Sequence, residues 1–448
     1  MLAQKHQILL ESLNKLMRRG ASQNISNMLK KSSSADLNVV FRLMDSHELD
    51  FLFRLLANLE NAPELLSKMD VALIAKGLHS IAPAKTASLL KQLEADDAAD
   101  ILGELPEALS EAVIPLMKEE GKEVEELMQY RDDSAGGIMN PNVFALPENV
   151  SVQEAIERLQ KSDENEIIFY LYVVDDFQNL VGVVNLRQLI SRKPQTQLKD
   201  IMVTDVVRVT TDTDQEEVAR LVARHKFLAI PVVDQNNHLQ GVITVDDVID
   251  VIREEATEDF LKMAGAEEDA LSLPSVIQSA KQRLPWLTAT LLGGALASEI
   301  IGSYKDFLTQ LSIIAGFIPV IIGMGGNLGT QSSTIVVRGL ATGRIQPSQL
   351  WQVLWKEMRV AISLGIIYGL VFGGFAWWRF PQGIRLGYIV GGSICVSMLI
   401  AVFVGTFIPL FFDRIRIDPA IATGPFVTTS VDILGVSLYL FIASNWLS

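Results

Sequence analysis

Apolar and polar positions follow two periods along the chain, and a region with almost no charge comes after them. Residues 1–130 repeat apolar positions about every 3.6 residues, as in Val71–Leu78, Ala87–Leu93 and Ala98–Leu109, which is the period of amphipathic helices. The pattern is interrupted by four prolines, which favour helix starts or breaks: Pro63, Pro83, Pro106 and Pro115. We predict an all-α N-terminal domain over residues 1–130, a small superhelix or bundle.

A second pattern, of period two, recurs at an offset of 59 residues. Tyr172–Asp175 is repeated by Pro231–Asp234, and Leu180–Val184 by Leu239–Ile243. β-Branched runs separated by short polar turns are typical of hairpins. Ile138-Met139 is likewise echoed by Ile201-Met202, and Arg131–Gly137 has the composition of a linker. We therefore expect two α/β modules, at about 138–193 and 201–252, within residues 131–252.

The second half carries long uncharged stretches. A helix needs about 20 apolar residues to cross a bilayer. Five stretches meet that length: Leu284–Ser303, Leu311–Val337, Val360–Trp378, Leu386–Phe412 and Ala420–Ser448. Glu299 and Asp432 are the only charged residues in them. We predict a five-helix transmembrane domain over residues 281–448.

The cations that flank the spans predict their orientation, because cytoplasmic loops carry an excess of Lys and Arg. One side has eight: Lys281, Arg283, Arg338, Arg344, Lys356, Arg359, Arg414 and Arg416. The other side has three: Lys305, Arg379 and Arg385. We expect a multi-pass protein of the cell membrane with its N-terminus in the cytoplasm and its C-terminus outside.

Charge divides the chain in the same way. Residues 281–448 hold 11 of the 38 Lys and Arg residues and 6 of the 53 Asp and Glu residues. The first 280 residues therefore hold 27 basic and 47 acidic residues and are strongly acidic. An acidic surface suits cations and argues against nucleic acid as a partner. The single cysteine, Cys395, excludes an internal disulfide framework.

An acidic segment over residues 253–280 joins the two halves. Arg253–Leu271 is predicted as a helix, and it carries seven acids: Glu254, Glu255, Glu258, Asp259, Glu267, Glu268 and Asp269. Like charges one turn apart repel each other. The helix is therefore predicted either to be solvated along its acidic face or to bind cations.

The repeat resembles a tandem pair of CBS domains. The resemblance rests on the paired hydrophobic-Val-Val-Asp strands and on Thr244-Val-Asp-Asp247 at the start of the last helix. Thr244 and Asp247 match the nucleotide-ribose motif of that module, whereas the first copy has Asn185 and Gln188 there. Such pairs usually regulate another part of the protein by binding a ligand.

The order of the segments resembles the MgtE family of magnesium channels over nearly the whole chain. Gly323–Thr334 and Asp418–Asp432 are similar to the two pore signatures of that family, although Thr330 and Gly424 stand where some members have Asn. The resemblance implies a homodimeric Mg²⁺ channel that is not an enzyme. Its acidic helix would be a plug that closes the pore when cytoplasmic Mg²⁺ binds.

Four residues are implied as pore ligands: Asp432, Asp418, Asn327 and Thr428. Asp432 lies near the middle of its predicted span. A carboxylate in that position costs about 2.5–3.5 kcal/mol on insertion scales, and such a residue is most often retained for function. Mg²⁺ prefers oxygen ligands and keeps much of its water. We expect Gly323–Gly329 and Gly424-Pro425 to break helix regularity and free backbone carbonyls.

Regulatory Mg²⁺ ligands are implied at twelve positions: Glu64, Asp96, Asp100, Gly136, Asp214, Glu216, Ala223, Asp247, Asp250, Glu255, Glu258 and Asp259. Each acid is equally well explained as a surface carboxylate. Lys226 stands where the family has an acidic ligand. We therefore predict that at least one regulatory ion is weakened or lost.

ATP is a second implied ligand, with contacts at Tyr170, Arg187, Val207, Phe227 and Ala229. Arg187 could pair with phosphate, and an aromatic ring could stack on adenine. Gln188 replaces an acid that would hold the ribose hydroxyls, so ATP binding stays open.

Other functions remain open at the level of sequence. One is a CBS-regulated transporter of another divalent cation, such as Co²⁺ or Mn²⁺, and another is a membrane Mg²⁺ sensor without transport. A membrane-bound enzyme and an ATP-driven pump are disfavoured, because the five His residues all precede Lys281 and no Walker-type phosphate loop occurs.

Overall fold

The computed structural model describes residues 2–161, 168–266 and 276–447. Its contacts group the chain into two compact units, Met1–Ile252 and Arg253–Ser448. Each unit has its own hydrophobic core. The architecture is an all-helical N-terminal domain, a CBS pair with two small sheets, and a helical C-terminal region with several apolar helices.

Ten helices form the N-terminal domain. They are α1 (Leu2–Arg18), α2 (Ser22–Lys31), α3 (Ser34–Phe41), α4 (Ser46–Leu56), α5 (Ala62–Leu66), α6 (Val71–Leu78), α7 (Pro83–Leu90), α8 (Ala95–Glu104), α9 (Glu107–Met117) and α10 (Glu119–Leu127). Side-chain caps start several of them, as when Asp70 accepts a hydrogen bond from the Leu73 N–H. Their core is tight enough that a Cβ on Gly77 would lie 2.2 Å from the Phe53 ring.

The prolines act mostly as predicted. Pro63 and Pro83 lie in the first turns of α5 and α7, and Pro106 precedes α9. Pro106 also ends the predicted Ala98–Leu109 pattern at Glu104, because the residue before a proline avoids helical geometry. The expectation for Pro115 was wrong, since it lies inside α9, two residues before that helix ends.

The CBS pair contains two three-stranded sheets. The first has β1 (Ala145–Pro147), β2 (Tyr170–Val174) and β3 (Leu180–Asn185), and the second has β4 (Val209–Thr210), β5 (Ala229–Val233) and β6 (Leu239–Thr244). In each sheet the first strand is parallel to the second and the last two form an antiparallel hairpin. The helices are α11 (Val152–Leu159), α12 (Leu186–Ser191), α13 (Gln215–His225) and α14 (Val245–Met263). Each module thus runs helix, strand, turn, strand and helix, and the two α/β modules predicted from the repeat are confirmed.

The two modules exchange their leading segments. Met139 packs against Gly241 of the second sheet, and Met202 packs against Gly182 of the first sheet. The Asn140 N–H donates to the Val242 carbonyl at 2.8 Å, which continues the exchange through the backbone. The pair is therefore one folded body, in which the segment before each module completes the other module.

The acidic helix is the end of α14, which begins at Val245 rather than at Arg253 and ends at Met263. Gly265 has φ +70°, and the Ala266 N–H donates back to the Leu261 carbonyl, which is the glycine-based stop of a helix. The predicted helix extends to Leu271, but the observed helix ends earlier, at Met263. Glu267, Glu268 and Asp269 lie outside the described residues.

The second unit consists mainly of long helices. They are α15 (Val276–Ser303), α16 (Lys305–Gln310), α17 (Ile318–Ala341), α18 (Leu350–Arg379), α19 (Gly383–Arg414) and α20 (Pro425–Leu447). Among the described residues, four are long and apolar enough to cross a membrane: α15, α18, α19 and α20. The remaining predicted span corresponds to the 24-residue α17, whose Gly, Ser, Thr and Gln residues lower its mean hydropathy.

Close helix packing explains why α17 stays regular. The prediction that Gly323–Gly329 breaks the helix was wrong, because α17 runs unbroken through these positions. A Cβ on Gly405 of α19 would lie 2.3 Å from the Gly329 carbonyl oxygen, so the two helices approach backbone to backbone. The glycines of α17 therefore provide contact rather than a break. Gly424, with φ +55°, does precede the first residue of α20.

Candidate metal and nucleotide sites

The predicted pore residues gather along α17 and α20. The Asp432 Oδ1 atom lies 3.7 Å from where a Cβ on Gly326 would stand, so this carboxylate faces α17. Thr428 lies one turn before Asp432 on α20, and its hydroxyl donates to the Gly424 carbonyl at 3.0 Å. Asn327 follows Gly326 directly and is exposed. Three of the four predicted residues thus belong to one pair of neighbouring helices.

Asp432 lies nearer to one end of its span than predicted. It is the eighth residue of the 23-residue α20, about 10 Å along the helix axis from the first residue at 1.5 Å per residue. The predicted span began at Ala420, which belongs to a separate short 3₁₀ helix, Pro419–Ala422. Ser448, the predicted last residue of the span, lies outside the described residues.

A polar stripe is exposed on α17. Asn327, Gln331 and Thr334 are exposed and recur at helical spacing, whereas Leu328, Ser332 and Val336 on the other side are buried. Many other exposed positions of this unit are large and apolar, among them Leu291, Ile366, Leu370, Trp378 and Phe441. A polar stripe facing lipid is unfavourable. The stripe therefore has the character of a surface that faces water or another protein surface.

Asp418 lies apart from this group, at the start of the segment that leads into α20. Its Oδ1 atom accepts a hydrogen bond from the Ala420 N–H, and its Oδ2 atom is 2.8 Å from the Lys262 Nζ atom on α14. The same ammonium lies 2.6 Å from Glu258 Oε1. Partial burial opposes the charge of Lys262, but these two carboxylates outweigh it and raise the pKa of Lys262. Two predicted metal ligands are thus paired with an internal cation.

A second group of acids forms where the N-terminal domain meets the CBS pair. Asp96 and Asp97 of α8 lie close enough to Asp247 of α14 for their charges to interact, although about 150 residues separate them. Asp96 is buried, with 9% exposure, and its Oδ1 atom has no hydrogen-bond partner among the described residues. Asn140, which leads into the first module, donates a hydrogen bond to Glu94. We call Glu94, Asp96, Asp97, Asp246 and Asp247 the interdomain acidic cluster.

Three carboxylates of the interdomain acidic cluster, Asp96, Asp97 and Asp247, have pKa values above the usual range. Burial, with the nearby Asp247 and Asp97 carboxylates, raises the pKa of Asp96 well above its usual range. Burial and then Glu94 and Asp247 raise the pKa of Asp97 to about 7. Burial also raises the pKa of Asp247 to about 6, although the Thr244 hydroxyl donates to it at 2.6 Å. A bound cation would relieve both the desolvation and the repulsion.

The remaining predicted ligands are more dispersed. Gly136 and Asp214 lie close together, because the Gly136 N–H donates to the Thr211 carbonyl and Ser134 pairs with Asp214. Glu216 forms an ion pair with Arg220. Four predicted positions are exposed: Glu64, Asp100, Ala223 and Asp250. Glu255, Glu258 and Asp259 are half-buried on α14.

None of these groups is arranged to hold an ion by direct contacts alone. In residues 2–161, 168–266 and 276–447, no three His, Cys, Asp or Glu side chains converge closely enough to do so. Lys226 caps α13 in the left-handed conformation, with φ +57° and an exposed side chain.

The predicted nucleotide contacts lie near the ends of β2 and β5. The Tyr170 hydroxyl accepts a hydrogen bond from the Leu228 N–H at 3.5 Å, which brings β2 beside Phe227 and Ala229. The Phe227 ring stacks on His225, with centroids 5.1 Å apart. Arg187 is exposed on α12, and Val207 is half-buried in the segment before β4.

Gln188 has a local structural role. Its side-chain oxygen accepts from the Asn185 N–H at 3.2 Å, and the Asn185 side chain accepts from the Gln188 N–H at 2.7 Å. This is a capping box, and in the second module the Asp247 carboxylate accepts from both the N–H and the hydroxyl of Thr244. The first module thus keeps the cap without the charge.

Sequence reasoning missed four acids that the structure singles out. Glu94, Asp97 and Asp246 belong to the interdomain acidic cluster, and the neighbouring pairs Asp96-Asp97 and Asp246-Asp247 were the available signal. Glu357 of α18 is buried with 6% exposure. Its position just outside the predicted Val360–Trp378 span hid it from a search for charges inside spans.

Comparison with known proteins gives matches over most of the chain. Residues 318–442 match the family model described as MgtE, divalent cation transporter. Residues 32–133 match the MgtE intracellular N domain, and residues 135–194 and 198–254 match the CBS domain.

Named relatives and one solved structure agree with these models. The magnesium transporter MgtE of Bacillus subtilis is 36% identical over 375 residues, covering 83% of this chain and 82% of the relative. The magnesium transporter MgtE of Thermus thermophilus is 38% identical over 329 residues, 72% of each chain. The cytosolic domain of the Mg²⁺ channel MgtE in complex with ATP is 35% identical, with a TM-score of 0.50 over 54% of this chain and 99% of that one.

Proposed function

Because this chain belongs to the MgtE family of magnesium transporters and carries Mg²⁺ under the regulation of its CBS domains, we propose that two copies form one pore and that cytoplasmic Mg²⁺ closes it. The chain divides into a regulatory part over residues 1–130 and 131–252, a connecting segment over 253–280 and a transport part over 281–448. The regulatory part lies in the cytoplasm, and the C-terminus lies outside.

The polar stripe of α17 is the observation that carries the dimeric pore. Asn327, Gln331 and Thr334 are exposed on a single chain, and contact with lipid would leave their polar groups without partners. A second copy related by a twofold axis along this stripe encloses a polar channel. The axis also brings two Asp432 carboxylates together, and their two negative charges balance one Mg²⁺.

The ion in this pore keeps most of its water. Asp432 faces α17 beside Gly326, and the Thr428 hydroxyl and the Asn327 amide supply neutral oxygens on the same two helices. Mg²⁺ releases its waters reluctantly and accepts octahedral oxygen ligands. The carboxylates therefore hold the hydrated ion by charge and by hydrogen bonds to its waters. Asp418 attracts ions at the cytoplasmic mouth and has a smaller effect, since solvent screens it.

Regulation rests on the interdomain acidic cluster. In the absence of a cation, burial and mutual repulsion oppose ionisation of Asp96, Asp97 and Asp247. Mg²⁺ among these carboxylates stabilises the contact between α8 and α14, and the closed arrangement with it. Because α14 continues to Met263, that change reaches Glu255, Glu258 and Asp259. ATP binds beside Tyr170, Phe227 and Arg187 and adds a second regulatory input.

The decisive test is Mg²⁺ flux into proteoliposomes over a range of Mg²⁺ concentrations on the regulatory side. Asp432→Ala is expected to abolish most flux, while Asp432→Asn, which keeps shape and removes charge, retains an intermediate rate. Asp306→Ala, which removes an exposed acid of α16, is the matched control and keeps the wild-type rate. Normal flux through the Asp432→Ala protein would remove Asp432 from the pore. Parallel measurements with Co²⁺ and Mn²⁺ decide between a Mg²⁺-selective pore and a general divalent one.

A further inference from the structure

Glu357 is a buried acid that the pore model leaves without a role. Within residues 276–447 it is the only charged side chain that is buried. A buried carboxylate is unfavourable unless nearby donors compensate it. An ionisable residue in the interior of a membrane domain is therefore a candidate for function.

The contacts of Glu357 join α18 to α17. Its Oε2 atom accepts a hydrogen bond from the Ser332 hydroxyl at 3.2 Å, and Ser332 is itself buried with 2% exposure. Its Oε1 atom lies 3.6 Å from the ammonium of Lys356, whose side chain is mostly exposed. The carboxylate thus links a buried hydroxyl of α17 to a mostly exposed cation near the start of α18.

This link is a directional contact, whereas the close contacts of the α17 glycines with α19 and α20 are not directional. Gly325 and Gly329 lie on the same face of α17 as Ser332, seven and three residues before it, and they contact Val431 of α20 and Ala401 of α19. Glycine faces allow close approach but resist rotation about the helix axis weakly. A hydrogen bond to a charged acceptor at a fixed position, in contrast, fixes the angle of the helix.

The rotation of α17 decides where its polar stripe points. Ser332 lies on the buried side, and its immediate neighbour Gln331 lies on the exposed side. Each residue of an α-helix turns by about 100°, so a hydrogen bond that holds Ser332 inward also holds Gln331 and Asn327 outward. We propose that Glu357 is a positioning residue for conduction, whose hydrogen bond to Ser332 fixes α17 so that its polar stripe faces the pore. This rests on the proposed pore between α17 and α20.

The test compares flux for Glu357→Ala, Glu357→Gln, Ser332→Ala and the double variant Glu357→Ala/Ser332→Ala. Either alanine variant is expected to raise the half-saturating Mg²⁺ concentration by about tenfold, the effect of losing one charge-assisted hydrogen bond. Glu357→Gln keeps an oxygen that accepts from Ser332 and is expected to remain within about twofold of wild type. The double variant is expected to be no worse than either single variant, because both remove the same contact.

Matched controls separate positioning from general damage. Ser393→Ala removes a buried hydroxyl of α19, which has no hydrogen-bond partner among the described residues, and is expected to leave flux unchanged. Size-exclusion profiles and melting temperatures are measured for every variant. If Glu357→Ala fails to fold, Ser332→Ala and Glu357→Gln still decide the question.

Three results would overturn the proposal: Glu357→Gln as impaired as Glu357→Ala, effects of Glu357→Ala and Ser332→Ala that add, or a Ser332→Ala protein with wild-type saturation. Measuring Asp432→Ala in the same experiment separates a failure of the proposed pore from a failure of the proposed role of Glu357. Normal flux in that variant rejects the pore itself, whereas lost flux there combined with any of the three results rejects only the role of Glu357.

Discussion

The interdomain acidic cluster makes a quantitative prediction for Asp97→Asn. Burial and the carboxylates of Glu94 and Asp247 raise the pKa of Asp97 from 3.8 to about 7. That change disfavours the ionised form by up to roughly 4 kcal/mol, at 1.36 kcal/mol for each pH unit. Since the pKa in the folded protein lies above the value for the unfolded chain, this loss of stability is absent below about pH 4 and complete above about pH 7.

Asparagine keeps the shape of the side chain and removes its charge. At pH 8 and without divalent cations, the variant is therefore expected to be more stable than wild type by a measurable part of that amount. Mg²⁺ bound at the proposed regulatory site is expected to stabilise the wild-type protein by RT ln(1 + [Mg²⁺]/Kd), about 2.7 kcal/mol at one hundred times Kd. The variant has lost one of the charges that attract the ion and is expected to gain less.

The assay is thermal unfolding of the full-length protein in detergent, across a Mg²⁺ titration at pH 8 and again at pH 5. Asp176→Asn, which changes an exposed acid of the first hairpin, is the matched control and should follow wild type. The reasoning is refuted if Asp97→Asn is less stable than wild type at pH 8 without Mg²⁺. It is refuted equally if both proteins gain the same stability from Mg²⁺.

Three further predictions follow from single sites. Lys226→Asp places an acid at the end of α13 and should lower the Mg²⁺ concentration that protects the junction between the CBS pair and the acidic helix from protease. An unchanged titration would remove this position from regulation. Asp36→Ala removes hydrogen bonds from the Lys5 ammonium and neighbouring donors that hold the pKa of Asp36 at about 2. After a discount for the exposure of Lys5, it should cost about 1–2 kcal/mol at pH 7, and this difference should fade as the pH drops from about 4 towards 2. Gly77→Ala forces a methyl group into the Phe53 ring and should lower stability by about 1–3 kcal/mol, which a melting curve measures; Gly103→Ala, which has open space, is its control.

Local elements of this protein could be predicted from sequence because their causes are local. The β2–β3 and β5–β6 hairpins were predicted at their 59-residue offset, since Asp175 and Asp234 each accept two backbone N–H groups within their own turn. Helix α6 matched its apolar period at both ends, with Asp70 as its cap. Uncharged length alone indicated most of the membrane helices.

Long-range packing decided the rest. Gly323–Gly329 stays helical because α19 lies close enough to need glycine, and nothing in the α17 segment itself carries that information. The exchange of Met139 and Met202 between modules depends on which sheet each segment reaches. The pairing of Asp418 with Lys262, 156 residues away, is a contact that the sequence did not indicate.

Some residues of the candidate sites could likewise be identified from sequence, and others only from the tertiary structure. Asp432 was identified from sequence because a charge inside a long apolar stretch is costly wherever the helix packs. Asp97 and Glu357 were not identified, because an acid beside other polar residues has the same appearance whether it is solvated or buried. Their burial and their neighbours are set by contacts between segments far apart in the chain, and the electrostatic energy of a carboxylate depends on those neighbours and on its distance from water.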